Sequence, residues 1–299
     1  MQLTVIICTY ARESLLENSL KTLCKQTIDR SHYGIVVVDN ACRPETQQVV
    51  EKYGAQYVME PKIGHSVARN RGMQVTRSPW ALYLDDDIQA PVDLIEKFLA
   101  RIVTAHYAAL GGEVRHWFLT TPPRWLVRYY NKPYRPVGQT EYGELKGEEY
   151  LIGCLIAVRK SAWEAVGGFS DSVGMHGKEV GRGDEDEFQL RLRAANYKIY
   201  YDPEIYIDHL VQPYKYTLKG QLQLAYASGR DGIGMRGNHV LSLWELFLRL
   251  ALITGYSVPF NVARVLFKPG YYWQNGIVDC LTKYYFAWGE FFPHRYSKR

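Results

Sequence analysis

Over residues 1–115, short apolar runs alternate with segments whose apolar residues recur every three or four positions. Residues 3–8, 35–39, 56–59 and 80–84 are the runs, and the second is built on Val36, Val37 and Val38. Short runs that are apolar throughout predict strands covered on both faces. Between them, residues 13–26 carry Leu15, Leu16, Leu20 and Leu23 at helical spacing, and helices are also predicted over 44–53, 65–75 and 91–103. Pro44 stands in a first turn, where its missing N–H is not needed. Strands alternating with helices predict an α/β fold with a mixed, mostly parallel sheet flanked by helices. Ligands of such sheets lie beyond the carboxyl ends of the strands. Thr9 and Tyr10, Asp39 and Asn40, and Asp85, Asp86 and Asp87 follow three of the strands, so all are expected along one edge.

Residues 116–150 break this rhythm with Pro122, Pro123, Trp125, Arg128, Tyr129 and Tyr130, and read as a loop-rich insertion. Regular structure resumes with a strand over 151–158, a helix over 160–166, a turn at Gly167, Gly168 and Phe169, a helix over 184–195, and strands over 198–201 and 205–209. One domain is therefore expected over 1–210, in halves 1–115 and 116–210, followed by a helical, aromatic-rich region over 211–299. In that region residues 229–237 read as a glycine-rich loop. Arg230 and Arg236 could close from it over a diphosphate, although a flexible connector with solvated charges fits equally well. Residues 241–253 are apolar apart from a stripe of Ser242, Glu245 and Arg249. The charge-free run between Arg249 and Arg264 is short for a bilayer, and Pro259 interrupts it, so no transmembrane helix is expected. The alternatives are a helix at a membrane interface and a helix packed on protein, a homodimer partner included.

Composition narrows the class. The 299 residues are 47% hydrophobic and 22% charged, which excludes a disordered chain. A net charge of +5 is too small to imply nucleic acid and suits an anionic substrate or lipid surface. The 24 tyrosines crowd toward the second half, and amphipathic aromatics favour wet–dry boundaries. Five cysteines without CxxC spacing argue against a disulfide framework or a zinc site. They suit a cytoplasmic protein, peripheral on the inner face of a membrane if it binds lipid, and no signal peptide is recognised.

The candidate chemistry is acidic. Asp85, Asp86 and Asp87 repel one another unless a cation neutralises them, and Mg²⁺ or Mn²⁺ with a diphosphate would do so. Asp184, Glu185, Asp186 and Glu187 open a helix, where they suit either the helix dipole or a general base for a hydroxyl nucleophile. His209, at a strand end, suits either a buried hydrogen bond or a metal.

Taken in order, these residues resemble family 2 glycosyltransferases of the GT-A fold. The resemblance runs from Val5–Tyr10 and Arg12 through Asp39 and Asn40, the segment 64–72 with Arg69 and Asn70, the aspartate triplet, and Gly167, Gly168 and Phe169, to the acidic helix with Arg191. It implies an inverting transfer of sugar from a nucleotide-diphosphate sugar, typically UDP-linked, to a saccharide or lipid-linked acceptor. It implies Thr9, Tyr10, Arg12, Asp39, Gly64, Arg69, Asp85 and Asp86 for the donor. It also implies Asp87, with Asp85 and His209, for Mn²⁺ or Mg²⁺, and Glu185 or its neighbours Asp184 and Asp186 for the base. The competing readings are a nucleotidyltransferase and a non-catalytic nucleotide-binding scaffold. Residues 8–25 lack the glycines that the first of these would need.

Overall fold

The computed structural model describes residues 1–136, 139–171, 174–175, 181–236 and 240–292, with backbone alone at 233–236. The chain runs β1 (Leu3–Thr9), α1 (Glu13–Leu23), β2 (Tyr33–Asp39), α2 (Pro44–Lys52), β3 (Gln56–Met59), α3 (His65–Val75), β4 (Trp80–Asp85), β5 (Ile88–Gln89), α4 (Leu94–Ile102) and β6 (Ala109–Trp117). It continues through α5 (Arg124–Tyr130), β7 (Gly143–Glu144), β8 (Leu155–Arg159), α6 (Lys160–Ala165), α7 (Asp184–Ala194) and β9 (Ile199–Leu210). Helices α8 (Leu218–Arg236), α9 (Leu243–Leu252), α10 (Val258–Phe267) and α11 (Trp273–Phe291) complete it, with a π-helical turn at Ile253–Ser257. Two compact units result. The first comprises Met1–Trp117, Pro133–Asp171 and Asp184–Leu210; the second comprises Phe118–Lys132, residues 174–175 and 181–183, and the described residues beyond Leu210.

The first unit is built on a mixed sheet in the order β3-β2-β1-β4-β8-β6-β9-β5, with β7 also paired to β9. Strands β3, β2, β1 and β4 are mutually parallel, whereas β8 runs antiparallel to β4 and β6. Alternation along each central strand feeds two cores. Leu3, Val5 and Ile7 of β1 join Leu16, Leu20 and Phe98 on one face, while Ile6 joins Ala68, Met73 and Phe188 on the other. Both faces are covered, so the strands need no polar side, and the runs are apolar for that reason.

Several sequence expectations require correction. The loop-rich insertion contains α5 and β7, and strand β6, to which no strand was assigned, occupies the sheet interior. Its Gly111 and Gly112 serve close packing. A Cβ on Gly111 would stand 2.7 Å from the Leu155 carbonyl oxygen, and one on Gly112 would run into that of Ile205. The strands expected over 198–201 and 205–209 are a single strand, β9, whose register against β6 shifts at Gly112 and Glu113. The bulge absorbs the extra residues without ending the strand. The strand expected from 151 begins at Leu155.

The second unit is helical, as expected, but residues 229–236 lie in α8 and form no loop. The glycines have a packing role: a Cβ on Gly229 would meet the Phe286 carbonyl of α11, and one on Gly289 would meet the Tyr226 carbonyl of α8. Only glycine lets the two backbones approach so closely. Pro259 does not interrupt the apolar segment. The helix continues through the π turn, in which the Val258 N–H reaches back to the Ile253 carbonyl, and Pro259 occupies the start of α10. The run Leu243–Phe267 is long and apolar enough, by length and composition, to cross a membrane.

Replacing Gly112 by alanine should lower stability by about 1–3 kcal/mol through overpacking at the bulge. A shift of the chemical denaturation midpoint measures it, and an unchanged midpoint would show that β6 and β9 separate at no cost.

Candidate active site

Strand β4 delivers Asp85 at its end, and Asp86 and Asp87 turn the chain into β5. Register sets their neighbours. Cys8 pairs with Asp85 and Thr9 with Asp39 across the parallel strands, while Ile88 pairs with His209 across β5 and β9. The Leu210 N–H donates to the Asp87 carbonyl at 3.1 Å. His209 Nε2 thereby lies 3.1 Å from Asp87 Oδ1 and 3.4 Å from Asp85 Oδ2. On the other side Arg12 spans two carboxylates, with Nη1 2.9 Å from Asp86 Oδ1 and Nη2 2.6 Å from Asp87 Oδ2. The Thr9 hydroxyl donates to Asp86 Oδ2 at 2.7 Å.

This arrangement separates the three acids. Burial, helped by the charge of Asp87, pushes Asp86 up to about 7 despite Arg12. Burial also opposes ionisation of Asp87, but His209 and Arg12 outweigh it and hold that carboxyl well below the usual range. Burial works against a charged His209, yet the carboxylates of Asp87 and Asp85 raise it to about 9.

Asp85, Cys154 and His209 bring one ligand atom each to within 4.8 Å of one another. Burial holds the Cys154 thiol protonated, far above its ordinary range. The carboxylates of Asp85 and Asp87 with the imidazole of His209 therefore form the better donor set for a hard cation, and this fits Mn²⁺ or Mg²⁺. Cys154 is a neighbour of this set that its sequence context, an apolar strand, did not reveal.

The second acidic cluster opens α7. Arg69, buried on α3, places Nη1 2.7 Å from Asp184 Oδ2 and 4.0 Å from Glu185 Oε2, and His65 Nδ1 stands 3.5 Å from Asp184 Oδ2. Burial would raise Asp184, but Arg69 and His65 hold it far below the usual carboxylate range. Burial and the adjacent Asp184 charge push Glu185 well above it. Two neighbouring carboxyls are thus driven apart, one fixed as an anion and one able to exchange a proton. Gly153 lies against this cluster, since a Cβ there would stand 2.5 Å from Arg69 Nη2. The next residue, Cys154, belongs to the aspartate–histidine cluster.

The remaining candidates are placed as follows. Asp39 is buried and accepts from the N–H of Ala41 (2.9 Å), the N–H of Arg43 (2.7 Å) and the Tyr57 hydroxyl (3.0 Å). It shapes the loop after β2, and a carboxylate has room for one further donor. The Gly64 N–H donates to Asn40 Oδ1 at 2.8 Å, and Asn40 Nδ2 donates to the carbonyls of Glu60 and Lys62. Tyr10 is half-buried beside Thr9. Arg230 lies in the second unit, where its Nε donates to Asp231 Oδ1 at 2.7 Å, and the side chain of Arg236 lies outside the described residues.

Three positioning side chains escaped the sequence reading or were only quoted in it. Gln189 accepts from the Leu151 N–H (2.8 Å) and donates to the carbonyls of Leu151 (2.9 Å) and Glu185 (3.0 Å), tying α7 to the approach to β8. Asn70 accepts from the Phe169 N–H and donates to the Phe169 carbonyl, both at 2.8 Å. Arg191 donates to the carbonyls of Val166 and Gly168. Together they fix the turn in which Gly167 and Gly168 take φ of 79° and 74°, angles that favour glycine.

Comparison with known proteins places the chain in a family. The chain is 26% identical over 238 residues to the succinoglycan biosynthesis protein ExoM of Rhizobium meliloti (strain 1021), covering 77% of this chain and 74% of that protein. Its fold matches the mannosyltransferase PcManGT from Pyrobaculum calidifontis, solved with GDP-Man and Mn²⁺, at a TM-score of 0.63 and 15% identity over 94% of this chain and 85% of that one. It also matches S. aureus TarS 1–349, solved with UDP-GlcNAc, at a TM-score of 0.55 and 15% identity over 94% and 90% of the two chains. The family model for glycosyl transferase family 2 matches residues 4–167, more than half of the sequence, and the chain belongs to that family.

Proposed function

We propose that the protein transfers a sugar from a UDP-linked donor to a hydroxyl of a saccharide or lipid-linked acceptor, with inversion, in polysaccharide or glycolipid assembly. One observation carries the reading: the consecutive residues Gly153 and Cys154 touch two acidic clusters of opposite character. One cluster is a carboxylate–imidazole set suited to a cation and a diphosphate. The other holds a carboxyl, Glu185, whose proton affinity burial and the Asp184 charge raise well above the ordinary carboxylate range, as suits a base for a hydroxyl. The relative named for succinoglycan biosynthesis supports a polysaccharide product. The structural neighbours carry different nucleotides, UDP-GlcNAc and GDP-Man, so UDP is the part of the reading most exposed to test.

Asp85, Asp87 and His209 would hold Mn²⁺ or Mg²⁺, which would offset the charge of the departing diphosphate. Thr9, Tyr10, Arg12, Asp39, Gly64 and Asp86 surround the nucleotide in this reading. Arg69 keeps Asp184 ionised and thereby occupied, which leaves Glu185 to accept the acceptor's proton. The negative charge of Asp184 raises the proton affinity of Glu185 and makes it the stronger base.

A screen of UDP- and GDP-sugars for hydrolysis with Mn²⁺ and Mg²⁺ tests the donor; turnover with no nucleotide sugar under either metal would defeat the reading. Glu185→Gln should retain donor binding and lower kcat by about 10²–10⁴-fold. Normal transfer by this variant would move the base elsewhere. Asp87→Ala should abolish metal-dependent nucleotide binding, as followed by calorimetry.

The pH dependence of metal binding has a definite sign. In the metal-free protein His209 holds a proton below about 9, and Asp86 holds one below about 7. A cation must displace the first and gains from loss of the second. Mn²⁺ affinity should therefore rise from pH 6 toward pH 9, and His209→Ala should flatten the upper part of the rise. Titrations showing equal affinity at pH 6 and 8.5 would exclude His209 as a ligand.

A further inference from the structure

In the second unit, the run Leu243–Phe267 touches its own chain along a narrow stripe that includes Leu246, Ser257 and Asn261. Most of the rest of its circumference is exposed and apolar, with Arg249 and Thr254 the exposed polar exceptions. Trp244, Leu248, Leu252, Tyr256 and Phe260 recur every fourth residue along it, with Trp244 66% and Leu252 72% accessible. Proteins in water rarely leave so continuous an apolar face open.

Several polar groups of these helices are paired with one another, some buried and some at the surface. Asn261 Nδ2 donates to the Ser257 carbonyl at 2.8 Å, and the Tyr271 hydroxyl donates to Asn261 Oδ1 at 2.6 Å. Lys283 Nζ donates to Ser257 Oγ at 2.8 Å, and Thr254 pairs with the Tyr284 hydroxyl at 2.7 Å. The charges follow the same rule: Arg264 Nη1 lies 3.2 Å from Asp279 Oδ2, and Arg249 pairs with Glu290. The unit therefore has a polar seam between its helices and an apolar face outside, the reverse of an ordinary water-facing bundle. The backbone stays helical past Pro259, which hydrocarbon demands and water does not.

We propose that this face is immersed in a lipid bilayer. A partner protein would be expected to find a hydrogen-bonding group about every 100–200 Å²; among these five stripe residues the Trp244 indole N–H and the Tyr256 hydroxyl can supply one. Lipid asks for none. The run of 25 residues is about 37 Å long by helical rise, on the scale of the hydrocarbon thickness. Charge fits as well. No charged residue lies between Arg249 and Arg264, while Lys268 is exposed beyond one end of this stretch and Arg249 is half-exposed at the other. Cations so placed reach phosphate headgroups from the ends of a buried apolar segment. The proposal concerns this face alone and stands or falls independently of the donor and acceptor.

Flotation of the full chain with vesicles of phosphatidylcholine and phosphatidylglycerol tests it. The protein should rise with the vesicles, and Leu252→Glu combined with Phe260→Glu should weaken binding at least about tenfold. The two positions are exposed, so circular dichroism and donor hydrolysis of the variant should stay unchanged, which separates loss of binding from loss of fold. Quenching of tryptophan fluorescence by brominated lipid should fall when Trp244→Phe removes the reporter. A wild-type chain that stays at the bottom of the gradient would overturn the proposal, as would a double variant that floats equally well. A dimer that the double variant dissociates, with no vesicle binding by the wild type, would assign the face to a second copy.

Discussion

Three consecutive carboxylates cannot be withdrawn from water without positive charge beside them, and the first unit is organised around meeting that requirement. Arg12 supplies one cation and His209 the other. Neither is near the triplet in sequence. Arg12 arrives because β1 lies in parallel register with β4, and His209 arrives because the two-residue strand β5 pairs with the far end of β9. The length of β9 and the bulge at Gly112 and Glu113 follow from this, because the strand must pair with β6 along its length and still deliver His209 to the turn after β4. In the proposed reading a divalent cation would take the place of the His209 proton and add one further positive charge beside the carboxylates.

The second cluster applies the same electrostatics with one cation and two acids. Arg69 pairs closely with Asp184 and remains farther from Glu185, so Asp184 is held as the anion and Glu185 has the raised proton affinity. The guanidinium is itself confined. Phe169 lies 5.3 Å from it, and Gly153 leaves no room for a side chain where it passes. Asn70 and Arg191 fix the glycine turn that presents Phe169, and Gln189 fixes the segment that leads to Gly153. What looks like a scattered set of polar motifs in the sequence is a support for the position of one arginine.

The sequence disclosed the parts of the fold where side-chain period and burial agree. Strands β1, β2 and β4 are covered on both faces, so continuous apolar runs marked them, and their polar ends marked the edge of the sheet. It concealed β6 because Gly111 and Gly112, which ordinarily punctuate a chain, are demanded there by the nearness of Leu155 and Ile205. It concealed the middle of α8 for the same reason, since Gly229 suits contact with α11 better than it suits a loop. Pro259 misled similarly, because a π turn absorbs a proline that periodicity treats as a stop. The acids Asp85, Asp87, Asp184 and Glu185 were legible by type, but the division of labour among them depends on Arg12, Arg69 and His209, whose approach is set by strand pairing and helix packing. Cys154 was illegible because nothing local distinguishes a thiol facing a ligand set from one filling a core.

One rule covers both units: a charge in a poor solvent needs a partner, and the placement of the partner shows where the solvent is poor. In the first unit the paired charges lie at the end of a sheet whose surroundings are apolar cores, and the pairs there are strained apart in proton affinity, as chemistry requires. In the second unit the pairs are ordinary, Arg249 with Glu290 and Arg264 with Asp279, and they join its own helices while Leu252 and Phe260 face outward. Were water the outer solvent, exchanging those positions would stabilise the unit, because solvated charges need no partners and buried leucines gain from cover. The arrangement is economical only when the surroundings are less polar than the seam. That physical ordering, more than the aromatic content of the region, is the ground for assigning its outer face to lipid.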